Sequence, residues 1–320
     1  MSTTLDKLMP ATEPARRWTA VGLTVVVSGL LTLWGIYGIG QYGLALFVCT
    51  PLLIGAGSTL LYGYGRRISR ADAAGVGFLA LAVFTGLLLL CAIEGFICIA
   101  MAAPFGILLT WVGTLLGHTI CQHTPGQAPA TLLVLVGFVP LTAVIEQEAP
   151  PTLSSVVSSI DIGARPEQVW QQVIQFPRLA EPTEFLFKAG IAYPIDAQIK
   201  GTGVGAVRHC NFNTGSFVEP ITVWDEPRLL RFDVVEQPAP LNELSFWSVD
   251  APHLHDYFVS RQGQFKLTAL PNGHTRLEGT TWYYHNIKPA AYWHLWSDYI
   301  VHAIHERVLT HIKARAEGRR

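Results

Sequence analysis

The sequence predicts two folds in series: an all-α bundle of membrane-spanning helices, then an α+β domain with an antiparallel sheet and a long C-terminal helix. Three observations carry that expectation. The first half is nearly free of charge, the second half alternates apolar and polar residues with period two, and the chain closes on about 25 residues of helical pattern.

The charge asymmetry comes first. Only six of the 22 Lys and Arg precede Pro150, namely Lys7, Arg16, Arg17, Arg66, Arg67 and Arg70. No charged residue falls between Arg17 and Arg66 or between Glu94 and Glu146. A hydrocarbon core about 30 Å thick takes about 20 helical residues. Each run therefore holds two spans, and a further one lies between Asp72 and Glu94. Spans are expected near Trp18–Tyr37, Tyr42–Tyr64, Ala73–Ile93, Gly95–Gly117 and Ala130–Ile145. The third and fourth meet near Glu94–Gly95, either in a tight turn or through a re-entrant segment. "GHTICQHTPGQAP" reads as a polar loop before the fifth span, which carries Pro140. The first span is longer than a signal peptide's apolar region and reads as a retained anchor.

Basic residues flanking spans stay on the cytoplasmic side. Arg16 and Arg17 precede the first span and Arg66, Arg67 and Arg70 follow the second, so a multi-pass protein of the cell membrane is expected. Five crossings favour an extracytoplasmic second half; a fifth segment that fails to cross would leave it cytoplasmic. The formal net charge is −1, with sixteen basic and seventeen acidic residues after Pro150. Such a balance gives no electrostatic footprint for nucleic acid. The lipid bilayer is the one partner that composition implies, and protein partners are unknown. Four of five cysteines lie in or beside spans, leaving Cys210 alone in the second half without an internal disulfide partner. Within the spans, Glu94 reads as a solvated turn residue in preference to a buried partner of His118 or His123. Gly113 and Gly117 form a G-x-x-x-G, a weak sign of close helix approach in a chain with 29 glycines.

The second half opens with alternation in "SSVVSSIDIG" and then a helix in "ARPEQVWQQVIQF", where Pro166 suits a first turn and Val169, Trp170 and Ile174 make an apolar face. Strands follow in "GAVRHCNF", "SFVEPITVW" and "RLLRFDVVEQ". Pro271-Asn272-Gly273 turns a hairpin between two further alternating runs. "GTGVGAV" at 201–207 lacks the spacing and helix-opening context of a dinucleotide loop and reads as a turn. The terminal helix starts near Pro289 and reaches Ala316.

In order and pattern, "SSIDIGARPEQVWQQVIQFPRL", "GVGAVRHCNF", "VEPITVWDEPRLLRFDV", "TRLEGTTWYY" and the terminal helix resemble the SRPBCC (START-like) superfamily, which includes polyketide cyclase/dehydrase-type proteins. The resemblance implies a helix-grip fold whose sheet and last helix enclose an apolar cavity for a hydrophobic, lipid- or polyketide-like small molecule. It supplies no catalytic signature to carry over. The expected division is a tail at 1–17, a transmembrane region of about five helices at 18–146, a linker at 147–152 and the helix-grip domain at 153–317.

Candidate cavity residues are Arg208 and Glu219, which could orient a ligand or exchange protons if they point inward, and the aromatics Trp282, Tyr284, Trp293 and Trp296, whose alternative is core packing. Arg276 and Glu278 pose the same inward-or-outward question, which a one-residue slip of register would reverse. On the terminal helix, His294, Asp298, His302 and His305 fall within an arc of about 80°. With His253, His255, Asp256 and His285 elsewhere they are conceivable metal ligands, but no motif organises them and no metal or other cofactor is expected. They read as the helix's polar face, meeting water, the membrane or the sheet edge, with a pH-sensitive or proton-transfer role as the alternative. Trp293, Trp296, Ile300, Ala303 and Ile304 make the opposite, cavity-facing side, and His311 is assigned to the surface. The functional expectation is a membrane-anchored binding module. Its alternatives are a cyclase- or dehydratase-type enzyme with a cavity acid–base residue, and a membrane sensor or assembly factor.

Overall fold

A computed structural model describes residues 9–124, 127–146, 151–245, 247, 249 and 251–318. Lys7 and most of the expected linker lie outside them. The chain divides into two compact units: the first comprises Met1–Pro150, Ser245–Pro252 and Ile287–Pro289, the second Pro151–Leu244, His253–Asn286 and Ala290–Arg320.

Five helices of the first unit are long and apolar enough to cross a membrane: Glu13–Ile39, Ala45–Tyr62, Arg70–Leu90, Phe96–His123 and Ala128–Ile145. We label them α1 to α5. Their apolar side chains are widely exposed, Leu133 by 76% and Leu90 by 70%, as suits helices solvated by lipid. Helices α3 and α4 are joined by a tight turn at Cys91–Gly95. Glu94 in that turn is buried, not solvated as the sequence suggested, and His118 is not its partner: its Nε2 lies 3.1 Å from the carbonyl of Ile68. Gln122 donates to that same carbonyl at 2.7 Å. These two contacts hold "GHTICQH" in helix, where a loop was expected.

Gly113 and Gly117 do mark a close approach. A Cβ on Gly113 would sit 2.5 Å from the carbonyl oxygen of Leu52, and one on Gly117 would sit 2.9 Å from that of Ala56, while one on Gly55 would collide with the carbonyl of Thr110. Backbones of α2 and α4 thus touch where side chains are missing. At one end of the bundle Arg16 donates to the carbonyls of Tyr62 and Tyr64, Arg66 pairs with Glu13, and Arg17 lies 3.7 Å from Asp72. Elsewhere in this unit, Glu146 accepts from the Leu44 N–H at 2.7 Å. Residues 287–289, expected in the second domain, group here because the Lys288 N–H donates to Tyr42 O at 2.9 Å and its Nζ reaches Glu146 O at 3.2 Å.

The second unit is built on one seven-stranded antiparallel sheet in the order β1-β7-β6-β5-β4-β3-β2. Its strands are β1 (Ser154–Ile162), β2 (Pro194–Lys200), β3 (Val207–Phe212), β4 (Gly215–Asp225), β5 (Leu229–Asp233), β6 (Phe258–Ala269) and β7 (Thr275–His285). Strands β2 to β7 form a meander, and β1 returns to pair with β7. The two strands earliest in the chain therefore sit at opposite edges, with α6 (Pro166–Ile174) and the short α7 (Phe185–Lys188) between them in sequence. Strand β2 is not among the expected strands, although Ile195, Ala197 and Ile199 alternate in it with Asp196, Gln198 and Lys200. The β2–β3 turn uses Gly201, Gly203 and Gly205 at φ of 92°, 82° and 89°, the left-handed region that only glycine enters cheaply. The Pro271-Asn272-Gly273 hairpin is present, closed by Leu270 N–H to His274 O at 2.9 Å.

Helix α8 (Ala290–Ala316) packs on the sheet. Its Val308, Leu309 and Ile312 join Trp170 and Val173 of α6 and Ile162, Leu230 and Leu277 of the sheet in the largest core cluster of this unit. A smaller cluster of Val156, Tyr283 and Val301 lies further along the same helix.

Candidate functional site

Between those clusters a cavity of about 140 Å³ remains between α8 and the sheet. Phe212, Phe217, Phe232, Phe258 and Phe265 line it from the strands, and Ile300, Val301, Ile304, Val308 and Leu309 from the helix. The long connection after β5 closes another side with Gln237, Pro238, Ala239 and Pro240. That connection is held by backbone bonds from Ala192 to Pro240 O at 3.0 Å and from Val218 to Glu236 O at 3.0 Å, and by Gln237, which donates to Phe258 O at 2.6 Å. Sequence reasoning missed this segment. Its length was the available signal, since a connection beyond about 12–15 residues in a compact domain is often functional.

Charge enters the cavity wall at one place. Arg208 on β3 stands directly opposite Glu219 on β4, and the two side chains form an ion pair, 2% and 7% exposed. The guanidinium carbon lies 5.6 Å, 5.4 Å and 5.6 Å from the ring centres of Phe176, Phe232 and Phe265, a cationic group among aromatic rings. Its Nε has no hydrogen-bond partner among the described residues. Burial pushes the Glu219 carboxyl above its ordinary range despite Arg208. Burial opposes the charge on Arg208 as well, but Glu219 and Cys210 outweigh it and keep it protonated. Cys210, also on the wall, is pushed up to about 12 by burial and then by Glu219, so it is a thiol and no nucleophile.

Register decides the other strand charges. Arg276 pairs with Asp161 at 2.8 Å, both half exposed, and Lys266 lies 3.5 Å from Glu278. Both pairs are on the outer face. The aromatics depart from expectation: Trp282, Tyr284, Trp293 and Trp296 are not in the cavity lining. Trp282 and Tyr284 alternate with Tyr283, which faces α8, so they turn outward, and the guanidinium carbons of Arg231 and Arg261 lie over their rings at 5.8 Å each. Trp293 is buried against Tyr292, 5.4 Å between ring centres.

The polar stripe of α8 meets the sheet edge. The Tyr283 hydroxyl donates to Asp298 Oδ1 at 2.6 Å and lies 3.2 Å from His294 Nδ1, and burial followed by Asp298 pushes its pKa above the ordinary phenol value. The rings of His285 and His294 lie 4.3 Å apart, tilted at 51°, while His253 lies 3.8 Å from Glu243. Further along, Ser158 Oγ lies 2.7 Å from His302 Nδ1 and 3.1 Å from His305 Nδ1, and Thr281 Oγ1 lies 2.8 Å from His305 Nε2. His305 and Thr281 also line the cavity. The helix is thus rotated from the expected grip: Val301 and His305 share its cavity side with Ile300 and Ile304, and Trp293 and Trp296 do not. His311, assigned to the surface, is half-buried, edge-on to Phe176 at 5.8 Å.

A bent antiparallel sheet, a long terminal helix laid across it and a hollow between the two decide the architecture. The second unit is a helix-grip domain. No family model and no curated protein matches the sequence. Solved structures are similar to it at low identity. Truncated norcoclaurine synthase from Thalictrum flavum is 14% identical over 52% of this chain and 96% of its own, with a TM-score of 0.34. A protein from Nitrosospira multiformis is 18% identical over 50% and 94%, TM-score 0.32. The di-domain ARO/CYC BexL from the BE-7585A biosynthetic pathway is 12% identical over 63% and 60%, TM-score 0.34.

Proposed function

We propose that this protein is a membrane-anchored binder of a small, largely apolar molecule held in the helix-grip cavity. The observation that carries the reading is the cavity itself, walled by five phenylalanines with one ion pair set among them. Its size sharpens the ligand. A dry engineered cavity of about 150 Å³ holds benzene, whereas drug-sized ligands take roughly 300–1,000 Å³. A compound of one or two rings fits, and a full lipid chain does not. Arg208 Nε supplies the polar contact: a carbonyl or hydroxyl oxygen there would gain a charge-assisted hydrogen bond in a low-dielectric site.

The test is mass spectrometry of small molecules released from the full-length protein purified in nanodiscs, with titration by 2-naphthol as a two-ring probe. A ring compound is expected to copurify, and 2-naphthol to bind and to be excluded by Ile304→Trp, which fills the cavity. Absence of both a copurifying ligand and probe binding would overturn the reading.

We further propose that the helix-grip domain is extracytoplasmic. Support comes from the clustering of Arg16, Arg17 and Arg66 at the end of the bundle where the chain enters α1, which positive-inside bias assigns to the cytoplasm, and from the odd number of candidate spans. A C-terminal alkaline phosphatase fusion in a bacterial inner membrane is expected to be active and a green fluorescent protein fusion dark; the reverse pattern overturns the assignment.

A further inference from the structure

We propose that Thr281, His305, Ser158 and His302 form a proton relay between the cavity and solvent, so that a ligand in the cavity exchanges a proton with water without opening the site. This rests on the cavity being a binding site.

The argument is one of counting protons. Ser158 Oγ touches Nδ1 of both histidines, 2.7 Å from His302 and 3.1 Å from His305, yet a hydroxyl has one proton to donate. At least one imidazole must therefore donate to Ser158, and the chain is continuous when the other accepts from it. His305 carries its second contact through Nε2 to Thr281 at 2.8 Å, so its tautomer is tied to the direction of the whole chain. Two of the arrangements that satisfy every contact with neutral rings run in one direction throughout. In the first, Thr281 donates to His305 Nε2, His305 Nδ1–H donates to Ser158, and Ser158 donates to His302 Nδ1. In the second, every donor is reversed.

Passing one proton along the chain converts one arrangement into the other. A proton arriving on Thr281 Oγ1 from the ligand displaces the Thr281 proton to His305 Nε2. The Nδ1 proton of His305 moves to Ser158, that of Ser158 to His302 Nδ1, and the Nε2 proton of His302 leaves to water. No ring stays charged and no bond other than those to hydrogen changes. Position supports the direction: Thr281 and His305 line the cavity, Ser158 is half-buried, and His302 is exposed. Burial, and then His302, holds His305 down at about 4, which suits a ring that hands protons on and does not store them. Its neighbours on β1 and β7, Ser158 and Thr281, are uncharged.

The cavity's occupant is then a one- or two-ring compound that gains or loses a proton while bound. The test uses full-length protein in nanodiscs and 2-naphthol, whose hydroxyl becomes a strong acid on excitation and whose anion emits at longer wavelength, with empty nanodiscs as the blank. Bound to the wild type, the probe is expected to show naphtholate emission. The ratio of naphtholate to naphthol emission should fall about tenfold or more in Ser158→Ala and in His302→Gln, a loss in keeping with general acid–base contributions. Probe affinity should stay within about twofold, since neither residue fills the cavity. Ser158→Thr, which keeps the hydroxyl, should restore the ratio. If Ser158→Ala fails to fold, His302→Gln at the exposed end carries the test. Bound probe with no naphtholate emission, or with emission indifferent to both variants, overturns the relay and leaves the binding reading standing. No binding to the wild type overturns both.

Discussion

The two units solve opposite problems with their polar groups. In the first unit several hydroxyls are satisfied locally: Ser58, Thr85 and Thr119 donate to the carbonyl four residues before them at 2.6 Å, 2.9 Å and 2.9 Å, and missing side chains at Gly55, Gly113 and Gly117 let helices approach backbone to backbone. In the helix-grip domain polar side chains pair between elements, Arg208 with Glu219, Tyr283 with Asp298, and Ser158 with His302 and His305, and Arg208, Glu219 and His305 line the cavity. The first unit closes its helices backbone to backbone, and the second leaves a cavity beside a buried ion pair.

The largest test of that contrast removes one member of the cavity pair. Glu219→Ala leaves a buried, unpaired guanidinium and is expected to destabilise the helix-grip domain by about 3–5 kcal/mol in denaturant titration followed by tryptophan fluorescence, whereas Arg208→Met with Glu219→Leu is expected to be near neutral. If the single variant is also neutral, the pair is more hydrated than its exposure implies.

Acid comes next. His305 is held at about 4 in the folded domain against about 6.5 unfolded, so the unfolded chain binds the extra proton between those values. Its contribution is complete above about pH 6.5 and is lost as pH falls toward about 4, a change on the order of 3 kcal/mol. Melting of wild type and His305→Asn between pH 7 and 4 is expected to converge as the pH drops; parallel curves would mean His305 is not held neutral.

In the anchor, Gly113→Leu forces a side chain against the carbonyl of Leu52 and is expected to cost about 1–3 kcal/mol, read as lower thermal stability in detergent, with 2-naphthol binding unchanged. At the small end, Arg276→Ala removes an exposed pair and should shift stability by no more than about 1 kcal/mol, falling further in salt. A larger effect there would put Arg276 on the wrong face.

Much of the architecture was legible. Charge-free length marks a candidate membrane helix because lipid forbids unpaired backbone and isolated charge, so five helices long and apolar enough to cross followed from composition. Period-two runs and the Pro-Asn-Gly turn marked most of the sheet. The site was only half legible. Arg208 and Glu219 drew notice as charges in apolar strands, but so did Arg276 and Glu278, and only register separates them. The aromatics around the last strand looked like a pocket, yet alternation on β7 sends Trp282 and Tyr284 to the face away from Tyr283. The cavity's phenylalanines are spread over β3 to β6 and looked like ordinary core.

What the sequence determined by itself is local or compositional: which segments are long and apolar enough to cross lipid, which alternate, and that His294, Asp298, His302 and His305 share one side of a helix. Which way that side turns was settled by tertiary structure. Helix rotation is fixed by the fit of Val301, Val308 and Leu309 against the sheet, and a turn of one residue would exchange His305 for an apolar neighbour at the cavity wall. The same holds for the meeting of Ser158 with two histidines more than 140 positions away. Contacts at that separation depend on the packing of the whole sheet, which no local pattern encodes.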